Sequence, residues 1–196
     1  MNSYSQYAED LTIVKAVSGV NSRRLLDLGA WHPTQFSNSR ALLESGWIGV
    51  LVECSPGPAR DLIREYSNWP GVEVIAAAVG FDRSCVKIHA TDDAVSTSSA
   101  QNLEIWRSAG GYYGQFWAPQ IRLEDIFNQF GGGFEFINFD TEGSSVELFV
   151  ECLRLECRPK CACIEHDGRI AELAGHAQAA GYMTQLINGT NMVVAR

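Results

Sequence analysis

The chain has 196 residues, 46% of them hydrophobic, which is enough for one substantial core and too few for two ordinary enzymatic domains. We therefore expect a single domain over residues 1–196. The 23 acidic and 15 basic residues give a net charge of −8 without a basic run, so we predict no nucleic acid partner. A small or neutral partner molecule suits this composition better.

Nothing in the sequence predicts insertion into a membrane or export. The longest apolar run, residues 74–81, is too short to cross a bilayer, and the first twenty residues lack the order of a secretion signal. The six cysteines include no C-x-x-C pair, as expected for small core residues in a reducing compartment. We predict a cytoplasmic protein without a membrane partner, and the sequence indicates no particular oligomeric state.

From Arg24 onward, apolar runs typical of β-strands alternate with amphipathic stretches typical of helices. Helices are predicted at 5–17, 37–46, 56–66, 123–130, 144–155 and 170–180, and strands at 25–28, 47–53, 72–77, 86–89, 134–139, 161–165, 183–187 and 192–195. This alternation predicts an α/β fold with a doubly wound, mostly parallel sheet covered on both faces. Asn188-Gly189 is typical of a type I′ turn, which predicts an antiparallel hairpin at the end of the chain.

The segment between His89 and Ile121 shows no pattern of a regular element. It contains a Ser/Thr cluster at 96–99 and then the aromatic residues Trp106, Tyr112, Tyr113, Phe116 and Trp117. We interpret residues 90–120 as an insertion into the domain. Long loops of this kind commonly act as lids or recognition segments, and the alternative is that the aromatic residues pack over the edge of the core.

The first predicted strand ends in a small-residue turn, with Asp27 before Gly29 and Ala30, where the backbone can approach a ligand closely. In a doubly wound sheet, nucleotide-like ligands bind in the crevice at the carboxyl ends of the strands. Taken alone, this stretch is more typical of an ordinary turn from strand to helix.

Glu53 ends the second predicted strand, 24 residues after Gly29, where a carboxylate can accept hydrogen bonds from both ribose hydroxyls. A solvated carboxylate at a strand end is the alternative. The turn at Gly29 lacks the second and third glycines of the dinucleotide fingerprint, and ordinary dinucleotide folds lack the closing hairpin. Both features favour S-adenosylmethionine, which has no phosphate, over a nicotinamide dinucleotide.

Several motifs occur in order along nearly the whole chain: residues 3–10 (SYSQYAED), 27–33 (DLGAWHP), 37–39 (SNS), 46–49 (GWIG), Glu53 and 140–143 (DTEG). Their order and spacing resemble those of FkbM-type methyltransferases. The resemblance implies a class I, Rossmann-like methyltransferase fold with seven strands and S-adenosylmethionine as cofactor, with S-adenosylhomocysteine as product. It also implies O-methylation of a hydroxyl on a sugar or other small metabolite. The chain departs from the family's pattern at Ala8, Cys54 and Thr141, where glycine, proline and an aliphatic residue are usual.

The same resemblance implies a set of cofactor-binding residues. Asp27, Gly29 and Ala30 would line the methionine and ribose side, Glu53 would hold the ribose hydroxyls, and Ala77 and Ala78 would meet the adenine edge.

Three polar residues, Gln6, Asp10 and Asn38, are assigned to the methionine end of the cofactor, because both of their segments should approach the carboxyl edge of the first strand. Helix capping is the alternative role, since Asn and Asp are frequent caps. The acidic pair Glu9 and Asp10 is expected to face away from the apolar side of the first helix.

The strand predicted at 134–139 delivers two carboxylates, Asp140 and Glu142, to the edge where the cofactor is expected. Such placement is costly unless the groups are used or paired. Methyl transfer requires alignment of the acceptor oxygen with the methyl group and a group that accepts the hydroxyl proton. Asp140 is our candidate base, with Glu142 as its orienter or as a second contact to the acceptor. Capping of the following helix is the alternative role of Glu142.

His166 ends the neighbouring strand and is a second candidate base because histidine titrates near neutrality, although a lone histidine there is more often a surface residue. Asp140, His166 and Asp167 could together hold a divalent cation that lowers the pKa of the acceptor hydroxyl. We favour no metal, because hard cations take more oxygen ligands than these residues offer.

Three hypotheses for function follow from these features. The favoured one is methylation of a hydroxyl on a small-molecule acceptor. The others are a nicotinamide-dependent Rossmann oxidoreductase and a cofactor-binding module without turnover. The glycine count and the terminal hairpin separate the first hypothesis from the second, whereas the sequence does not separate the first from the third.

Overall fold

The computed structural model describes residues 3–91 and 112–196. The helices of these residues are α1 (Glu9–Ala16), α2 (Arg40–Glu44), α3 (Pro56–Tyr66), α4 (Leu123–Phe130), α5 (Ser145–Arg154) and α6 (Ile170–Ala179). The strands are β1 (Arg24–Leu28), β2 (Ile48–Glu53), β3 (Val72–Ala76), β4 (Ala78–Gly80), β5 (Ser84–Thr91), β6 (Tyr112–Arg122), β7 (Phe136–Phe139), β8 (Cys161–Glu165), β9 (Met183–Ile187) and β10 (Asn191–Ala195).

Seven of these strands form one sheet in the order β3-β2-β1-β7-β8-β10-β9. β1 pairs in parallel with β2 on one side and with β7 on the other, so the chain changes direction across the sheet at this point. β10 is antiparallel to both β8 and β9. The predicted doubly wound, mostly parallel sheet with an antiparallel C-terminal hairpin is therefore confirmed, and the crevice between β1 and β7 is where such sheets bind ligands.

Alternate side chains of the strands face two apolar layers, one on each side of the sheet. In β1, Leu25 packs with residues of α1, α2 and α3, whereas Leu26 and Leu28 pack with residues of α4, α5 and α6. Because both faces are buried, the central strands are almost continuously apolar in sequence.

α1 is shorter than the helix predicted at 5–17. Ala8, immediately before Glu9, has a left-handed backbone with a φ of 62°, so the helix begins only after it. This conformation costs an alanine about 1–2 kcal/mol, a cost that glycine at this position would avoid.

The turn of the C-terminal hairpin differs from the predicted type I′ turn. Three residues connect β9 to β10, and neither Asn188 nor Gly189 has a positive φ. Instead, Oδ1 of Asn188 accepts hydrogen bonds from the backbone N–H groups of Thr190 (2.9 Å) and Asn191 (2.8 Å). A side chain closes the turn here, where a type I′ turn would need left-handed backbone.

β6 corrects the expectation that the segment between His89 and Ile121 lacks regular structure. β6 pairs with β5 in an antiparallel manner and with β4 in a parallel manner, in a separate three-stranded sheet. Burial alternates along β6 from Gly114 to Gln120, but Trp117 occupies one of the exposed positions at 65% exposure, so polar and apolar residues do not alternate with the burial in the sequence. Residues 92–111 of the predicted insertion lie outside the described residues, and a lid there stays a prediction.

None of the helices in the described ranges is long and apolar enough to cross a membrane.

Gly29 joins the ends of three strands at one point. Its N–H donates to the carbonyl of Val52 in β2 (2.9 Å), and the N–H of Asp140 after β7 donates to the carbonyl of Leu28 (2.9 Å). The φ of Gly29 is +83°, and a Cβ at this position would lie 1.7 Å from the carbonyl oxygen of Asp140. The residue must therefore be glycine both for its backbone conformation and for the closeness of the neighbouring chain.

We predict that Gly29→Ala destabilises the protein far more than Gly46→Ala. Gly46 has nearly the same φ, +87°, but a Cβ there would meet nothing within 4 Å. Gly46→Ala should therefore cost only the left-handed strain of about 1–2 kcal/mol. Gly29→Ala should cost more than ~4 kcal/mol or prevent folding, because backbone must move. Urea denaturation measures both, and equal costs would contradict the close contact with Asp140.

Candidate active site

A cavity opens at the carboxyl edge of the sheet, where β1, β2, β7 and β8 end and β10 begins. Within the described part of the chain, the side chains that line it include no lysine, arginine or histidine. The acidic residues that line it are Glu9, Asp27, Glu53, Asp140, Glu142 and Glu165. Such a concentration of one charge in a cleft gives it a strongly negative potential.

The structure brings most of the predicted site residues to this cavity. Those that line it are Gln6, Asp27, Gly29, Ala30, Asn38, Glu53, Ala77, Ala78, Asp140 and Glu142. Asp10 and His166 are not among its lining residues.

Glu53 is buried and held by two backbone amides of the loops beside it. Its Oε2 accepts a hydrogen bond from Trp31 N–H (3.0 Å) and its Oε1 accepts one from Ser55 N–H (2.6 Å). An ionised carboxylate has about four acceptor positions, so each oxygen keeps one for a further donor. Because Glu53 lines the cavity, a pair of neighbouring hydroxyls, such as those of a ribose, fits this remaining capacity.

Asp27 is fixed by neighbouring side chains from two directions. Ser39 Oγ donates to its Oδ2 (2.6 Å) and Asn138 Nδ2 donates to its Oδ1 (2.9 Å). Asn38 Nδ2 donates in turn to Oδ1 of Asn138 (3.1 Å). Burial raises the pKa of Asp27, against the effect of these donors. The network ties the loop after β1 to β7 and so fixes one wall of the cavity.

Three carboxylates meet where β7 and β8 end. Oxygens of Asp140, Glu142 and Glu165 lie within 4.8 Å of one another. Burial, together with the charge of Asp27, raises the pKa of Asp140 to about 7. Burial, together with the charge of Asp140, raises the pKa of Glu165 to about 10. Near neutral pH, Glu165 is therefore protonated, while Asp140 exchanges its proton readily.

The backbone of Glu142 is part of the same arrangement. Glu142 has a φ of 51°, and its N–H donates to Oε2 of Glu165 (3.2 Å). Ser145 Oγ also approaches this oxygen, at 3.4 Å. Glu165 thus holds the turn that carries Asp140 and Glu142. Sequence reasoning missed Glu165, because the adjacent His166 is chemically the more conspicuous residue.

The close carboxylates are the feature most similar to a metal site in the described residues, and they differ from the predicted set of Asp140, His166 and Asp167. A divalent cation could span their spacing.

His166 is buried and bonded to backbone on both sides of its ring. Its Nδ1 accepts from Gly168 N–H (3.0 Å), and its Nε2 lies 3.1 Å from the carbonyl oxygen of Asn188. A carbonyl can only accept, so Nε2 is the protonated nitrogen. Both nitrogens are engaged in holding loops, and at 4% exposure His166 is not the surface residue that was its alternative.

Asp10 also has a structural environment. Its Oδ1 accepts from Ser3 Oγ (2.7 Å) and its Oδ2 accepts from Tyr4 N–H (2.8 Å). The side chain is fully buried and fixes the segment before α1. Helix capping, the alternative role for Asp10, is not what the structure shows, because α1 has no side-chain cap hydrogen bond.

Glu9 departs from the expectation that it faces elsewhere. It is fully buried and lines the cavity. The left-handed backbone of Ala8 precedes it and sets the direction in which α1 begins. No helical pattern could have found this, because the residue follows an irregular turn.

Two aromatic side chains, Trp31 and Phe36, were also missed as lining residues. Their rings stack with centroids 5.9 Å apart and an angle of 17° between planes. Both residues have left-handed backbone, with φ of 41° and 55°. Such conformations are rare for bulky residues and tend to occur at functional sites. The pair gives the cavity an apolar wall.

Similar solved structures define the class of fold. No protein-family model and no curated protein sequence matches the chain. A methyltransferase FkbM from Methylobacillus flagellatus KT shares 15% identity with a TM-score of 0.56, over 89% of this chain and 44% of that one. A precorrin-6y C5,15-methyltransferase from Geobacter metallireducens GS-15 shares 9% identity with a TM-score of 0.51, over 97% and 88%.

The chain has the class I, Rossmann-like methyltransferase fold, which is what these identities can establish. It spans about 44% of the length of the FkbM methyltransferase chain. The FkbM-type motifs are therefore a similarity in sequence, and 15% identity does not establish membership of that family.

The prediction that nucleic acid is excluded as a partner is wrong. Similar solved structures include the METTL16 MTase domain, with 13% identity, a TM-score of 0.53 and coverage of 97% of this chain and 66% of that one. The prediction used the net charge of −8, which sums over the whole chain and does not report where charges lie. Net charge therefore cannot exclude this class of partner.

Proposed function

We propose that the chain is an S-adenosylmethionine-dependent methyltransferase. The observation that carries the proposal is the acidic cavity at the ligand-binding edge of a class I methyltransferase fold, without a basic side chain among its described lining residues. A dinucleotide would bring its pyrophosphate into this negative potential, whereas S-adenosylmethionine brings a sulfonium and an ammonium group against a single carboxylate and is positive overall. The cavity therefore fits the methyl donor and disfavours the nicotinamide alternative.

The residues of the cavity fit the adenosine portion of this cofactor. Glu53 has acceptor capacity for the two ribose hydroxyls. Ala77 and Ala78 form a small-residue wall on the Glu53 side, where an adenine edge can lie. Gly29 and Ala30 bring backbone, without a large side chain, to the middle of the cavity.

Asp140 accepts the proton of the acceptor in this proposal. When bound, S-adenosylmethionine supplies an electrophilic methyl group on a sulfonium. Asp140 lies on the cavity wall next to Gly29 and has a pKa near the physiological range, which is where a general base works best. Glu142 orients the acceptor beside it. His166 is the second candidate base from the sequence, and the structure gives it no position on the cavity wall.

The acceptor in this proposal is a hydroxyl on a sugar or other small metabolite. This follows from the FkbM-type motifs and from a base suited to removing a hydroxyl proton. Residues 90–120 are proposed as the lid or recognition segment of a single domain. A reducing, cytoplasmic location is proposed from the cysteines, all six of which are free thiols.

We predict that S-adenosylhomocysteine raises the melting temperature and that NAD does not. A ligand that binds only the folded state stabilises it by about 2.7 kcal/mol at a hundredfold excess over Kd. For a chain of this size that corresponds to roughly 5–10 °C. Thermal unfolding with each ligand at equal concentration is the measurement. Equal shifts with both ligands would refute the choice of cofactor.

We predict that Asp140→Asn slows methyl transfer by ~10²-fold or more, the range for losing a general base. Affinity for S-adenosylhomocysteine should stay within a few fold, because the shape of the side chain is preserved. In the unsubstituted enzyme the rate should rise with pH up to about 7 and then level off, because Asp140 must lose its proton to act. Turnover is measured as homocysteine release and affinity by calorimetry.

The matched control is Asp61→Asn, the same chemical change on an exposed residue paired with Arg60, which should leave the rate unchanged. If Asp140→Asn abolishes cofactor binding, Asp140 is a wall of the cavity and not a base. If His166→Ala removes turnover while Asp140→Asn does not, the proton acceptor has been misassigned.

A further inference from the structure

The end of the cavity beside β10 contains a buried carboxylate, Glu9, that methyl transfer does not use. Glu9 Oε1 accepts hydrogen bonds from Asn188 Nδ2 and Asn191 Nδ2, both at 2.9 Å. Its Oε2 accepts one from Tyr7 N–H at 2.8 Å. Oε2 thus keeps an acceptor position. All of these donors are neutral, so the negative charge of Glu9 has no cationic partner among them.

Two amide oxygens on the cavity wall lack any partner. Asn38 and Asn191 are 4% and 6% exposed, both line the cavity, and the Oδ1 atom of each is buried without a hydrogen bond. The amide orientations follow from their Nδ2 atoms, which donate to Asn138 Oδ1 and Glu9 Oε1 respectively. A buried acceptor without a donor costs about 1–3 kcal/mol of folding free energy, and a ligand that donates a hydrogen bond to each oxygen would recover this cost.

Glu9 and Asn38 both lie near Cys163, a residue of β8. Asn38 Nδ2 lies 3.6 Å from Cys163 Sγ. Burial, and next the charge of Glu9, raise the pKa of Cys163. Asn191 lies opposite Glu165 on the neighbouring strand, two residues beyond Cys163 along β8. The carboxylate and the two amide oxygens therefore belong to one end of the cavity.

Strand order separates this end from Glu53. Glu53 ends β2, and β1 and β7 lie between β2 and β8. With ~4.8 Å between neighbouring strands, β2 and β8 are ~14 Å apart. An extended ligand whose ribose meets Glu53 would thus direct its other end toward Glu9.

We propose that Glu9, Asn38 and Asn191 form a site for a primary ammonium group, which is the amino group of the cofactor's amino-acid portion. This inference rests on the proposed function, because it takes the cofactor as the ligand. An ammonium group has three donors and no acceptor. It therefore complements one carboxylate and two amide oxygens, where a hydroxyl would satisfy only one of them.

Two probe ligands separate the ends of the cavity. S-Adenosylhomocysteine carries the amino-acid portion, and 5′-methylthioadenosine lacks it while keeping the adenosine. Calorimetric Kd values for both are measured with the unsubstituted protein and with Glu9→Gln and Glu53→Gln. Glu9→Gln should weaken S-adenosylhomocysteine by ~10-fold or more and 5′-methylthioadenosine by less than twofold. Glu53→Gln, the matched control at the ribose end, should weaken both ligands.

Glu9 is buried, so a second variant guards against a folding defect. Asn191→Ala should show the same selective loss, and retained affinity for 5′-methylthioadenosine shows that either variant is folded. If Glu9→Gln binds neither ligand, Asn191→Ala decides. The ammonium site is overturned if the deciding variant weakens the binding of both ligands equally. It is also overturned if that variant changes neither Kd. If the unsubstituted protein binds neither ligand, the proposed function fails, and the ammonium site fails with it.

Discussion

The contact between Gly29 and the carbonyl of Asp140 sets the geometry on which the cavity depends. Gly29 also donates to Val52, so a single residue joins the ends of β1, β2 and β7. Any side chain at position 29 would collide with backbone and separate these strand ends. Because Glu53 is the last residue of β2 and Asp140 follows directly after β7, this contact places the ribose acceptor and the candidate base on one cavity wall. Gly29 is thus required both for the packing of the strand ends and for the position of the site residues.

Carboxylates concentrated beside this contact give the cavity its chemical character. Burying like charges together is unfavourable, and the raised pKa values of Asp140 and Glu165 are the consequence. Part of the repulsion is relieved by protonation of Glu165, and a positively charged ligand would relieve more. Neutral donors such as Asn138 and Asn188 stabilise individual carboxylates without cancelling their charge. The site is therefore prepared for a cation before any ligand arrives.

The sheet could be predicted from the sequence, because runs of apolar residues typical of buried strands alternate with amphipathic helices. The spacing of apolar residues in each kind of element is set by its backbone geometry. The sequence also placed Gly29, Glu53 and Asp140 correctly on one edge, since the carboxyl ends of parallel strands meet there. It did not place Glu9 or Asn191, whose positions depend on a left-handed turn at Ala8 and on a loop closed by a side chain.

Polar residues that face a cavity and polar residues that face water look the same in a sequence. His166 illustrates this limit, because its chemistry made it a candidate base while the structure engages both ring nitrogens with backbone. β6 illustrates another limit, because its burial alternates along the strand while an exposed position carries the aromatic Trp117, so the residue types do not follow the alternation.

A crystal structure of the protein with S-adenosylhomocysteine tests the central claim most directly, which is that this acidic cavity binds the methyl donor. The account predicts the ribose hydroxyls on Glu53, the adenine beside Ala77 and Ala78, and the sulfur facing Asp140. A ligand bound outside the cavity, or with its ribose away from Glu53, would contradict it.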